Sequence, residues 1–298
     1  MKRRKFIEKT SLTGLALGAL PGSLRANTNQ LNQLEADAQV NSGPEVGEKI
    51  NHSVCHWCFE QIPLEDFLIT LRRLGIGAID LVGPKDWPLL KKHNIHCSMC
   101  NGAELGLTKG WNNPKYHPEL IDNYTKMIPL VAEAGYTNLI CFSGNRDGMT
   151  DQKGLANCVS GLRQVLPLAE KHGVVLQMEL FNQIDHPDYM CDHSDWGIAL
   201  CKALGSNNFK LLYDIYHMQI QEGDIIRTIQ NSHQFFGHYH TAGVPGRHEI
   251  DDTQELYYPA IMRAIAATGF TGYVAQEFMP TSDDPIGSLV KAFEICDA

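Results

Sequence analysis

From residue 50 onward the sequence alternates short β-rich runs with helix-length amphipathic segments, and it does so eight times. The runs read as strands are His52–Cys58, Ala78–Val82, Ile95–Met99, Asn138–Phe142, Val174–Glu179, Lys210–Asp214, Phe235–His240 and Gly272–Glu277. The segments read as helices are Leu64–Leu74, Trp87–His93, Pro118–Ala134, Gln152–His172, Ser194–Leu204, Met218–Asn231, Tyr257–Ala267 and Pro285–Cys296. Strands alternating with helices require an α/β fold whose sheet is parallel. Eight repeats over roughly 250 residues predict a closed (β/α)8 TIM barrel rather than a doubly wound sheet. No GxGxxG follows the first strand, which removes the main signature of a dinucleotide fold. In a barrel of this kind the chemistry sits at the carboxyl ends of the strands.

The barrel is assigned to residues 49–298, preceded by a linker at 27–48 and a targeting segment at 1–26. That segment has Arg3 and Arg4, an apolar run from Leu12 to Leu20, and a small-residue end at Ala26. The pattern is that of an export signal of the twin-arginine type, so a periplasmic location is expected. The apolar run falls short of the roughly 20 residues needed to span a bilayer, so no stable membrane insertion is expected after cleavage. Net charge is −9, and the basic targeting segment makes the remainder more acidic still. An acidic body argues against binding to a phosphate backbone, so no nucleic-acid partner is expected. Nine cysteines include the CxxC pairs Cys55/Cys58 and Cys97/Cys100. Both pairs lie in or beside apolar runs rather than on Gly-rich turns, so they read as small buried residues rather than a zinc knuckle.

Four consecutive strands end in an ionisable residue: Glu179, Asp214, His240 and Glu277. Neighbouring parallel strands lie about 4.8 Å apart, so four inward side chains at that level can meet at one point. Three buried carboxylates without a cation would repel one another and take up protons. The set therefore predicts a divalent metal. Its hard, oxygen-rich donors suit Mn²⁺, Mg²⁺ or Co²⁺, with Zn²⁺ also admissible. His217, three residues after Asp214, and Arg247, on the Gly/Pro-rich loop after His240, are read as substrate-binding residues. Glu249 and Asp251 are available to pair with Arg247, and His238 to face the interior below His240. Trp57 and Trp111 are candidates for the pocket wall, and the Gly-rich stretch 101–113 for a lid.

The segments IPLEDF, LVGPKDWPLLKKH, LYDIYHMQIQEGD, HTAGVPGRHEIDD and the closing QEF resemble the hydroxypyruvate isomerase family of the xylose isomerase-like barrels. The resemblance runs from about residue 50 to the end. It implies a (β/α)8 barrel, a divalent metal, and acid/base interconversion of hydroxypyruvate and tartronate semialdehyde. Glu179 and Glu277 then fall on the catalytic carboxylates, which with Asp214 and His240 also form the metal set. Hydroxypyruvate isomerases often carry glutamine where this chain has His240, whereas related ketose 3-epimerases and sugar isomerases carry histidine. The export signal is a second difference. The expected substrate is thus a small hydroxy-keto acid or sugar, handled through an enediolate. A ketose 3-epimerase, a sugar dehydratase or lyase, and a non-catalytic exported sugar-binding protein stay open as alternatives, as does assembly into a homo-oligomer.

Overall fold

The computed structural model describes residues 50–297. Its strands are β1 (Asn51–Val54), β2 (Ala78–Val82), β3 (His96–Cys100), β4 (Asn138–Cys141), β5 (Val175–Glu179), β6 (Phe209–Asp214), β7 (Phe236–Thr241) and β8 (Tyr273–Gln276). They run parallel in the order β1-β8-β7-β6-β5-β4-β3-β2. A parallel bridge between Cys55 and Asp80 joins the β1 and β2 ends and closes the ring. The fold is the (β/α)8 barrel expected from the alternation. The targeting segment and the linker lie outside the described residues.

Parallel strands covered on both faces are apolar along their length, and Ile79, Leu139, Ile140, Leu176, Met178, Leu211 and Val274 are all buried here. The outer layer contains α1 (Leu64–Arg73), α2 (Trp87–Lys92), α3 (His117–Glu133), α4 (Asp151–Leu162), α5 (Leu166–His172), α6 (Ser194–Leu204), α7 (Ile215–Gln221), α8 (Ile225–Ser232), α9 (Tyr258–Ala266) and α10 (Pro285–Cys296). Two expected helices are each broken in two. The segment 152–172 breaks at 163–165 because Pro167 lacks an N–H and its ring opposes the carbonyl four residues back. The segment 218–231 breaks where Gly223 and Asp224 both adopt left-handed backbone, at φ +66 and +47. Strand β1 is also shorter than its apolar run. After Cys55, whose N–H donates to the Gln276 carbonyl at 3.0 Å, the chain leaves the sheet as a 3-10 turn, His56–Phe59.

The barrel interior is polar in its middle layer. Ser53 of β1, Asp80 of β2, Ser98 of β3 and His238 of β7 meet there, fully buried, through hydrogen bonds centred on Asp80. Below them His96 of β3 stacks on Tyr273 of β8 with ring centroids 5.5 Å apart. All nine cysteines are buried thiols; Cys97 and Cys100 bring their sulfurs to 3.6 Å.

The 101–113 stretch is stitched down rather than free. Trp111 N donates to Phe142 O at 3.2 Å, Asn112 N to Ser143 O at 2.8 Å, and Asn145 N to Thr108 O at 3.0 Å. A Cβ on Gly110 would lie 2.2 Å from the Ser143 carbonyl carbon, so only glycine permits this approach. Trp111 is buried against Tyr124 and His117 and is a packing residue. Among the described residues, no helix is long and apolar enough to cross a membrane.

Candidate active site

Strand ends deliver the site. Glu179 closes β5, Asp214 closes β6, His240 precedes the last residue of β7, and Glu277 follows β8 directly. Asp214 and His240 are register partners, and His240 pairs onward with Ala275 of β8. All four residues are buried. One ligand atom from each of the four lies within 4.8 Å of all the others. His240 Nδ1 is 2.8 Å from Glu277 Oε2 and 3.2 Å from Glu179 Oε1.

The fit of these residues to a cation can be judged from His240 itself. Its Nε2 lies 2.9 Å from Asp80 Oδ2, a carboxylate oxygen that can only accept. Its Nδ1 is buried and makes no hydrogen bond of acceptable geometry, despite the two nearby carboxylates. A nitrogen lone pair and three carboxylates converging on one point are the donor set of a divalent metal.

The electrostatics agree. Burial raises Glu179 to about 7, helped by repulsion from Glu277 and Asp214 and opposed by the pull of His240. Burial likewise raises Asp214 to about 6, although Arg247 opposes it. Glu277 goes the other way: burial would raise it, but His240 and Arg247 hold it well below the usual carboxylate range. Burial would lower His240, yet Glu277, Cys55 and Asp80 together raise it well above an ordinary histidine. A site without a cation thus retains protons that a metal would displace.

Arg247 lies over this set. Its Nη2 hydrogen-bonds Glu277 Oε2 and is 3.5 Å from Asp214 Oδ2. The guanidinium stands between two aromatic faces, 5.4 Å from the centre of the Trp57 ring and 5.3 Å from that of Tyr216. Trp57 also donates Nε1–H to Glu277 Oε1 at 2.9 Å, so it walls the pocket. Glu249 and Asp251 do not pair with Arg247. Glu249 accepts from the Thr281 and Ser282 backbone, and Asp251 from Thr253. Both are drawn to free N–H groups of nearby turns, while the Arg247 side chain points inward.

His217 is buried within reach of both. Asp214 Oδ1 accepts from His217 N at 3.2 Å, so one aspartate both joins the strand-end cluster and caps α7. Asn182, which the sequence reading did not single out, fixes the His217 ring. Its Oδ1 accepts from Ile184 N and Asp185 N, which turns its amide N–H toward His217 Nδ1 at 2.7 Å. Nδ1 therefore accepts and Nε2 carries the proton. Burial and the nearby Arg247 lower His217 well below its ordinary value. Its Nε2–H faces Arg247 Nη1 at 2.9 Å, two donors set against each other, with Asp214 Oδ2 3.6 Å from Nε2.

Asp80 is the other residue not anticipated. It lies mid-strand among apolar neighbours, and only the tertiary fold brings it to His238 and His240. His238 faces the interior as expected.

The family model described as xylose isomerase-like TIM barrel matches residues 88–294 of this chain. The chain belongs to the xylose isomerase-like TIM barrel family. Among curated relatives of this barrel family, a 2-oxo-tetronate isomerase of Cupriavidus necator is 36% identical over 119 residues, 40% of this chain and 45% of that protein. The match thus spans less than half of that relative's length. A hydroxypyruvate isomerase of Escherichia coli is 27% identical over 196 residues, 65% of this chain and 74% of that one. Among solved structures, a Brucella melitensis protein described as an AP endonuclease of family 2 superposes with a TM-score of 0.70 at 23% identity, covering 78% of this chain and 94% of that one. At that identity the likeness speaks for the xylose isomerase-like fold alone.

Proposed function

We propose that the protein is a metal-dependent isomerase of a small α-hydroxy-keto acid, with hydroxypyruvate as the first candidate and its product tartronate semialdehyde. The observation that carries this reading is the convergence of Glu179, Asp214, His240 and Glu277 at one point beneath a half-buried arginine. The named isomerase relatives support the substrate class. The hard donor set favours Mn²⁺, Mg²⁺ or Co²⁺ over a thiophilic ion. When bound, such a cation supplies Lewis-acid stabilisation of negative charge developing on the substrate oxygens.

The chain's own residues supply the rest. Glu179 and Glu277 both reach His240 Nδ1 and so flank one small volume. One of them removes the proton from the hydroxyl-bearing carbon, giving an enediolate, and a proton returned to the neighbouring carbon completes isomerisation. Return to the same carbon from the other face is epimerisation, which the histidine at 240 keeps as the second reading. His217 Nε2–H and Arg247 Nη1 converge at 2.9 Å, and an anionic oxygen beside them would accept from both donors. A substrate carboxylate meets that need, and a neutral sugar meets it less well. Trp57 and Tyr216 flank the guanidinium and orient it.

The test is incubation of the protein with Mn²⁺, Mg²⁺ or Co²⁺ and either hydroxypyruvate or 2-oxo-tetronate in D₂O. The expected outcome is an isomeric product of unchanged composition with deuterium at the carbon that received the proton. A product lighter by one water would assign a dehydratase. Metal uptake without exchange or turnover on either acid or on ketoses would leave a binding protein and sink the isomerase reading.

A further inference from the structure

We propose that Asp80 is a positioning residue that fixes the His240 ring in the tautomer able to bind metal, and that the irregularity in β2 exists to aim it there. The inference rests on the reading of His240 as a metal ligand.

An imidazole binds a cation through one nitrogen only if the proton is held on the other, and outer partners commonly do that holding. Here the partner comes from the opposite side of the barrel in sequence, 160 residues away. Asp80 Oδ2 lies 2.9 Å from His240 Nε2 and 2.9 Å from His238 Nε2. Its Oδ1 accepts from Ser53 Oγ at 3.2 Å and from Ser98 Oγ. Every acceptor direction of the carboxylate is filled, and Asp80 is wholly buried. With Nε2–H directed at Asp80, the lone pair of His240 is left on Nδ1, facing Glu179 and Glu277.

A second, independent observation comes from the backbone. The β2–β3 register slips on both sides of Asp80, between Ile79 and Asp80 and between Asp80 and Val82. Leu81, a branched residue, is held at φ +57. Left-handed backbone at such a residue costs on the order of 1–3 kcal/mol and persists only where the surroundings impose it. Bulges beside active sites re-aim side chains, and here the slip brings Asp80 under His240. A strand with an even register would leave this strain out.

The rival use of the same atoms is a second metal site. Cys55 Sγ lies 4.0 Å from both Asp80 Oδ2 and His240 Nε2. However, the 2.9 Å separations of the Asp80 oxygen from both imidazoles are hydrogen-bond distances, and they leave the carboxylate engaged.

The experiment compares wild type with Asp80→Asn, near-identical in size, using Co²⁺ titration followed by visible absorption and ¹⁵N NMR of the histidine side chains in the Zn²⁺-loaded state. In wild type, one equivalent of Co²⁺ binds, and His240 carries its proton on Nε2 with Nδ1 ligated. In Asp80→Asn an amide N–H can replace the accepting oxygen and favour the other tautomer. Metal affinity then falls by about 10–100-fold, at temperatures where circular dichroism shows the metal-free variant still folded. Excess metal restores most of the turnover. Equal affinities within threefold, or a wild-type His240 with Nε2 unprotonated, would overturn the positioning role while leaving the metal reading intact. The NMR result in wild type decides the matter even if the variant does not fold. A second equivalent of Co²⁺ with a thiolate absorption lost in Cys55→Ser would overturn it in favour of a second metal site. A wild type that takes up no metal would overturn both readings.

Discussion

At the scale of single residues, charge placement explains what each side chain can do. Glu277 touches His240, Arg247 and Trp57 at once, whereas Glu179 reaches only His240 among these. Glu277→Gln should abolish turnover and also loosen Arg247, whose pairing it anchors. Steady-state assays should show a loss of at least about 10³-fold in kcat/KM, and retained turnover would remove Glu277 from the acid/base pair. Arg247→Lys keeps the charge but loses the planar fork and its fit between Trp57 and Tyr216. It should raise KM for a carboxylate-bearing substrate by about tenfold or more, with a smaller change for a neutral ketose. An equal effect on both substrates would argue that Arg247 serves only to neutralise the metal set. The strand-end residues were legible because each closes an apolar run with a charge that burial alone could not tolerate. Asp80 and Asn182 were not. The role of Asp80 depends on a register slip, and that of Asn182 on a turn whose amide orientation is set by Ile184 and Asp185.

At the scale of elements, the alternation of apolar runs with amphipathic segments was enough to place all eight strands. The errors came where one residue overrides a long pattern: Pro167 divides α4 from α5, and Gly223 with Asp224 divides α7 from α8. The stretch 101–113 misled for a related reason. Its glycines suggest freedom, yet Gly110 is there because the backbone of the β4 loop passes too close for a side chain. Gly110→Ala should therefore destabilise the protein by about 1–3 kcal/mol, the usual range for overpacking. Urea denaturation should show a lower midpoint with an unchanged slope, and an unshifted midpoint would mean that the two loops part easily.

At the scale of the whole molecule, the site carries excess acidity into the barrel core. Glu179 and Asp214 have folded-state values near 7 and 6, above their ordinary ranges. In the metal-free protein the native state therefore holds protons that the unfolded chain has released. The stability these two groups contribute is fully present below about pH 4 and lost as pH rises through 6 to 7. Metal competes for the same oxygens, so its affinity should increase over that window, with protons released on binding. Titration calorimetry in buffers of different ionisation enthalpy should detect release from Glu179 and Asp214 near pH 6, and above pH 8 only the share that comes from His240. Saturating metal at about 100 times its Kd should add about 2.7 kcal/mol to unfolding. A melting temperature indifferent to Mn²⁺, Mg²⁺ and Co²⁺ at pH 7.5 would contradict the cation site.

The bridge between Cys55 and Asp80 joins the first two strands, and Asp80 is also the residue that grips His240 from β7. The seam of the ring and the support of the ligand are therefore one joint. A ring opened at this joint would separate His240 from Asp80, the partner of its Nε2. On the proposed reading of His240 as a ligand, metal affinity and closure of the ring would therefore rise and fall together.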